Sequence, residues 1–172
     1  MPRRAAASRP PNATRPHMPG YGLPRGRKGL LPWAWADERL RRSHNYWMIT
    51  VRPERTPHAM PVWGIWVDGA FFFSTGRESR KARNLAGNPS CVVCTERSSE
   101  AVVVEGTANE VSDPAVIERL APVYHKKYKP WKLDPEMGPI FEVRPRVIFG
   151  LREKTFKAAT RWIVDSSAGP KR

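Results

Sequence analysis

Cysteine is nearly absent from this chain: Cys91 and Cys94 are the only two in 172 residues. They form a CxxC, a spacing used by metal and redox sites. A structural zinc site needs four ligands, and no second Cys pair exists to complete one. The stretch Cys-Val-Val-Cys-Thr is β-prone, and residues three apart on a strand face opposite sides, so the two sulfurs are expected to diverge. Histidine is scarce too. His17, His44, His58 and His125 are scattered without metal-ligand spacing, and no metal site is expected. No Ser-His-Asp or Cys-His pattern can be drawn. So little acid–base machinery is consistent with redox chemistry, in which a cofactor carries the difficult step. No apolar run approaches the roughly 20 residues that cross a bilayer. The basic N-terminus lacks the apolar stretch of a secretory signal. A cytoplasmic protein with no membrane partner is expected.

Acidic residues are missing from the first 32 positions, which hold seven Lys/Arg, seven of the 18 prolines and four of the 12 glycines. With almost no hydrophobic periodicity, residues 1–32 are expected to form a flexible basic arm. Gly29-Leu30-Leu31-Pro32-Trp33 at its end could pack on the body. Residues 33–172 then form one domain, large enough for a core. That body carries 23 Lys/Arg against 16 Asp/Glu, a net +7 within the chain's +14. A cationic tail alone points to nucleic acid or an anionic surface. A cationic body also suits a polyanionic small molecule.

Strand signals dominate the body. Residues 46–51 alternate, and residues 57–67 and 70–75 flank Asp68-Gly69, the pair that a type I′ hairpin turn favours. Residues 91–97 and 101–111 read as a second hairpin with a bulge at Gly106. Residues 141–151 and 155–164 read as the last strands. A helix is expected to open at Asp37. A second runs from Ser79, its N-cap, to Gly87, with Pro89 just beyond. A third starts at Asp113-Pro114, where Ile117, Leu120, Ala121, Tyr124 and Tyr128 recur at helical spacing. Six or seven strands in hairpins with two or three short helices argue against a doubly wound sheet. The fold class is mainly β (α+β), a small antiparallel barrel.

One stretch concentrates the chemistry. Ser74 and Thr75 end a strand, and Arg80 and Lys81 open the helix that follows, with Arg83 and Asn84 one turn on. Hydroxyls, cations and the free N–H groups of a helix start converge, which suits a phosphate. A solvated basic face is the competing reading. Upstream, Pro61 and Gly64 interrupt a strand. Proline cannot donate to a ladder, so this is either an edge or bulge, or a place where backbone meets a ligand. Met60, Val62 and Trp63 are either core or the apolar floor under a flat ring. Residues 125–132 pack four lysines among aromatics. They read as a solvated helix end, a site for an acidic cofactor tail, or a nucleic-acid contact.

The series Met60-Pro61-Val62-Trp63, Phe73-Ser74-Thr75, Ser79-Arg80-Lys81, Arg83-Asn84-Leu85 and Asn88-Pro89 resembles the split β-barrel flavin and deazaflavin oxidoreductases, the superfamily of pyridoxamine 5′-phosphate oxidase. The likeness extends more weakly over residues 37–165. It implies an antiparallel split β-barrel that holds its cofactor through His58, Met60, Pro61, Val62, Trp63, Ser74, Thr75, Arg80, Lys81, Asn84 and Trp162. The last would lie near the cofactor of the other subunit, or else in the core or interface. It also implies a homodimer with each cofactor in the groove between barrels. The chain departs from pyridoxamine 5′-phosphate oxidase itself, because residues 158–165 lack that enzyme's Arg-Leu-His and closing Arg-Leu signatures. Met-Pro-Val-Trp followed by Ser-Arg-Lys-Ala-Arg-Asn-Leu is more similar to the deazaflavin branch. The expectation is a coenzyme F-420-dependent oxidoreductase exchanging hydride between the deazaflavin C5 and a small organic substrate. FMN is the alternative cofactor, and a non-enzymatic basic module, cofactor-carrying or nucleic-acid-binding, is the alternative class. A nucleic-acid partner is not the leading expectation.

Overall fold

The structure, a computed structural model, describes residues 11–164. Eight strands and three α-helices follow in the order β1 (Asn12–Thr14), α1 (Trp33–Arg42), β2 (Asn45–Val51), β3 (Pro57–Val67), β4 (Ala70–Ser74), α2 (Arg80–Gly87), β5 (Ser90–Thr95), β6 (Glu100–Glu110), α3 (Pro114–Tyr128), β7 (Ile140–Arg152) and β8 (Thr160–Ile163). All pairings are antiparallel. Six strands close into a barrel in the order β2-β3-β4-β7-β6-β5 and back to β2, while β8 and β1 extend from the far half of β7. Closure leaves few of the exposed edges that an open sheet must protect.

Local chemistry accounts for most of the elements. Asp68 and Gly69 adopt φ of 51° and 80° between the paired residues Val67 and Ala70, the geometry a two-residue I′ turn requires. Ser79 Oγ accepts the Ala82 N–H at 3.2 Å and Asp113 Oδ1 the Ala115 N–H at 2.9 Å, so each caps its helix. The register of β6 against β7 shifts between Glu105 and Gly106, the expected bulge.

Two apolar clusters lie on opposite faces of the wall. Tyr46, Met48, Phe71, Phe73, Val93, Val102, Val143, Ile148 and Trp162 belong to the larger one. Ile65, Phe72 and Ile140 face outward, where Leu120, Tyr124 and Tyr128 of α3 cover them. This is how three consecutive phenylalanines are all buried: Phe71 and Phe73 share one face of β4, and Phe72 takes the other. Each such burial is worth roughly 1.5–3 kcal/mol.

Three boundaries differ from the sequence expectation. Helix α1 opens at Trp33, four residues before Asp37. Its N-cap, Pro32, supplies no side-chain hydrogen bond. Burial of Ala36 and Leu40, one turn apart, carries the helix instead of a polar cap. The final strand is only Thr160–Ile163, preceded by 3₁₀ turns over Glu153–Ala158. The register explains the loss: Gly150 stands opposite Thr160, so the chain must reverse near Thr155 and cannot begin a strand there. The Arg15 guanidinium then takes the carbonyls of Lys157 at 2.5 Å and Ala159 at 3.4 Å. The third difference concerns the arm. Residues 1–10 lie outside the described residues, but residues 12–14 pair with Arg161–Ile163, and Leu31 N–H reaches Thr160 Oγ1 at 2.8 Å. The described part of the arm is thus tied to the body by backbone groups, which hydrophobic periodicity does not register.

Candidate functional site

The barrel is split along β3. Pro57–Trp63 pair with β2, whereas Gly64–Val67 pair with β4. Gly64 pairs with Phe73, but the next pair, Trp63 with Ser74, does not form. Ser74 pairs instead with Ile140 of β7, and the Thr75 N–H goes to Pro139 O. Residues 57–63 therefore keep one backbone edge free, and Pro61 sits within it, where its missing N–H is tolerated. Gly64 is required at the crossover: a Cβ there would lie 2.2 Å from the Phe71 ring and 2.7 Å from Phe72 O.

Across the split, the turn after β4 is held by hydroxyls. Thr75 Oγ1 donates to Ser79 Oγ at 3.1 Å and accepts from Lys81 Nζ at 3.2 Å. Gly138, at φ 148°, lets a second chain segment press against this turn, since a Cβ would meet Thr75 O at 2.3 Å. On the other side of α2, buried Asn84 donates from Nδ2 to Thr50 Oγ1 at 2.9 Å and so locks the helix to β2. Thr50 is the ladder partner of His58.

A cationic cluster results at the start of β3. Arg52, Lys81 and Arg80 bear on His58, whose pKa is lowered first by loss of water and then by these three charges. Burial also lowers the pKa of Lys81. None of the three cations is in a salt bridge among the described residues, whereas Arg41, Arg42, Arg77 and Arg144 each pair with a carboxylate. His58 Nδ1, Arg52 Nε and Asn84 Oδ1 are buried without a hydrogen-bond partner. Such groups are costly to leave unmade, and a bound anion is one way to satisfy the donors.

The other end of the free edge is aromatic. Trp63 stacks on Tyr128 at 5.0 Å and 11°, and Trp131 follows at 6.2 Å. Trp63 and Trp131 remain 38% and 60% exposed. Seven strand residues span roughly 20 Å, so the edge joins a cationic end to a flat apolar one. An elongated ligand with an anion and a ring matches that layout.

The structure thus gathers Ser74, Thr75, Arg80, Lys81, Asn84 and His58 on one side of the split, with Met60, Pro61 and Trp63 along the edge. Val62 turns into the core. Trp162 stands apart from this grouping and is corrected: it is 1% exposed, packed on Trp33 at 5.6 Å and over Gly150, so its side chain is core. Sequence reading missed Arg52, which lies in a turn without any motif. It also missed Lys127 and Tyr128, hidden in a lysine-rich run. Lys127 Nζ donates to Gly64 O and Tyr46 Oη, both at 2.8 Å, and burial lowers its pKa to about 8. Lys126, Lys129 and Lys132 of that run are exposed. Cys91 faces the core and Cys94 the outside, on opposite faces as expected. A groove of about 520 Å³, lined by Arg77, Ala82, Arg83, Glu110 and Phe141 among others, lies beside α2. Of Ser74, Thr75, Arg80, Lys81, Arg83 and Asn84 it includes Arg83 alone, so Arg83 faces away from Lys81 and Asn84.

Among solved structures the chain is similar to an F420 reductase, with 23% identity, a TM-score of 0.54, and coverage of 65% of this chain and 94% of that one. It is similar to the conserved hypothetical protein Rv2991 from Mycobacterium tuberculosis, with 20% identity, a TM-score of 0.61, and coverage of 83% and 91%. It is also similar to a heme binding protein from Mycobacterium smegmatis, with 18% identity, a TM-score of 0.54, and coverage of 71% and 55%. At these identities the likeness establishes the fold. No curated protein matches the chain. The family profile described as Pyridoxamine 5'-phosphate oxidase matches residues 34–151, from α1 to the penultimate residue of β7. With its split barrel and that match, the chain belongs to the pyridoxamine 5′-phosphate oxidase family.

Proposed function

We propose that this protein is an F-420-dependent oxidoreductase acting on a small organic substrate. The observation that carries the reading is the unpaired cationic cluster of Arg52, Arg80 and Lys81 beside the free edge of β3. Lys81, with Thr75 and Ser79, would hold the phosphate. Arg80 and Arg52 would share its charge. The backbone of residues 57–63 would meet the polar edge of the ring, with Met60 on the core-side face of the strand and Trp63 on its outer face flanking it. When bound, the deazaflavin supplies a hydride-exchanging centre. The protein's part is to hold the ring and exclude water from it. The net charge of +7 on residues 33–172 favours a cofactor with a polyanionic tail over FMN. Fluorescence titration of F-420 and FMN at moderate salt tests this, with F-420 binding tighter as the expected result. Equal or reversed affinity points to FMN. Failure of both to bind, with salt-dependent binding of DNA, points to a non-enzymatic basic module.

The protein works as a homodimer in this reading. Trp47 is 47% exposed, and the ladder sets Pro61 and Cys94 beside it on the same outer face, with Ile49, Ala59 and Val92 in the next row. This apolar wall adjoins the free edge of β3, and a second copy seated there would close the groove over the cofactor.

A further inference from the structure

The proposed anion site contains one group that can change its charge near neutral pH, and one of its ring nitrogens is buried. His58 stands opposite Thr50 in the β2–β3 ladder, and Asn84 of α2 holds Thr50 from the far side. Its Nδ1 is shut off from water and lacks a partner. The charged groups acting on the ring are Arg52 from the 52–56 turn and Lys81 and Arg80 from α2, all of one sign. A fourth positive charge among three unpaired cations is unfavourable while the site holds no anion.

We propose that His58 is the proton-accepting member of this site: it is neutral in the free protein and takes a proton from solvent when an oxyanion binds. The proposal rests on the anion-site reading above. An anion within about 4–6 Å offsets the field of these cations and favours the imidazolium. The imidazolium then offers donors from both ring nitrogens, so Nδ1 becomes available to donate to the bound anion. The sign follows from linkage. Below the free-state pKa of His58 the ring is charged with or without ligand, and affinity is highest and flat. Between the free and bound pKa values binding takes up a proton, and affinity falls as pH rises. Above the bound pKa affinity is lowest and flat. A rise of one pKa unit on binding makes the two plateaus differ about tenfold.

Inorganic sulfate is a suitable probe because its own charge does not change between about pH 5 and 8, where histidine titrates. The imidazole Cε1–H resonance of His58, assigned by its loss in His58→Gln, is followed against pH with and without sulfate. The Lys81 and Ala82 amide resonances report binding independently. The expected result is that sulfate moves those amides and raises the His58 pKa by about one unit, and that His58→Gln binds sulfate with an affinity independent of pH in this window. If sulfate moves the amides but leaves the His58 pKa in place, the proton link is wrong and the anion site stands. If sulfate moves neither, the anion site itself is wrong and the inference falls with it.

Discussion

The hydroxyl of Tyr128 occupies the point at which Gly64 parts from β2. It accepts the Gly64 N–H at 2.9 Å and lies 2.7 Å from the carbonyls of both Gly64 and His44, donating its proton to one of them. A side chain from α3 thus completes the ladder where the barrel splits. Tyr128→Phe keeps the ring under Trp63 but leaves a buried N–H unmade. The expected cost is about 1–3 kcal/mol, read as a lower urea midpoint with an unchanged slope. An unchanged midpoint would show that water takes over the hydroxyl's role.

Lys81→Ala and Arg80→Ala each remove a charge from the cluster around His58. A charge-assisted hydrogen bond contributes about 1.5–3 kcal/mol, so cofactor affinity should fall roughly 10- to 100-fold. Both residues sit among like charges without a carboxylate partner, so the melting temperature should stay the same or rise. Calorimetric titration and thermal melts on the same samples separate the two effects. Normal binding by both variants places the phosphate elsewhere.

Trp47 lies at the centre of the apolar wall proposed as the dimer face. A stable dimer is expected to bury roughly 2,000 Å² or more in total. Sedimentation at micromolar protein should give a dimer, and Trp47→Glu a monomer with weaker cofactor binding. A wild-type monomer that binds cofactor at full affinity would remove both the interface and the shared site.

Burial raises the thiol pKa of Cys91 to about 12 and that of half-buried Cys94 in the same direction. The thiolate is the reactive form. Alkylation followed by mass spectrometry should therefore label Cys94 before Cys91 in the monomeric Trp47→Glu protein, whereas the native dimer, which covers the face bearing Cys94, should protect both until it unfolds. The two Cα atoms are about 10 Å apart along β5, too far for a disulfide, so mild oxidation should leave them unjoined.

Deleting residues 1–28 removes β1 and the Arg15 contacts to the carbonyls of Gly26, Lys28, Lys157 and Ala159. The six-strand ring closes without them. The truncated protein should remain folded by circular dichroism but melt at a lower temperature. Loss of the cooperative transition would show that β8 cannot hold its place alone.

What the chain determines on its own is whatever a few neighbouring residues decide. Asp68-Gly69 makes its turn because both backbone angles are positive there. Ser79 and Asp113 start their helices by accepting a nearby N–H, and alternation marks the strands. The Ser-Arg-Lys run after Ser74-Thr75 places cations and hydroxyls together at a helix start, the feature on which the proposed anion site rests. Only the tertiary structure decided where that run would sit and what would join it. Arg52 reaches the site because β2 and β3 form a hairpin, and Tyr128 because α3 packs across Phe72. Trp162 left the site because Gly150 opens room for its ring inside the barrel. Such placements depend on residues distant in sequence competing for the same volume and the same hydrogen bonds. The last strand shows this most plainly: the pairing of Gly150 with Thr160 makes residues 153–158 the turn between β7 and β8, whatever their own strand propensity.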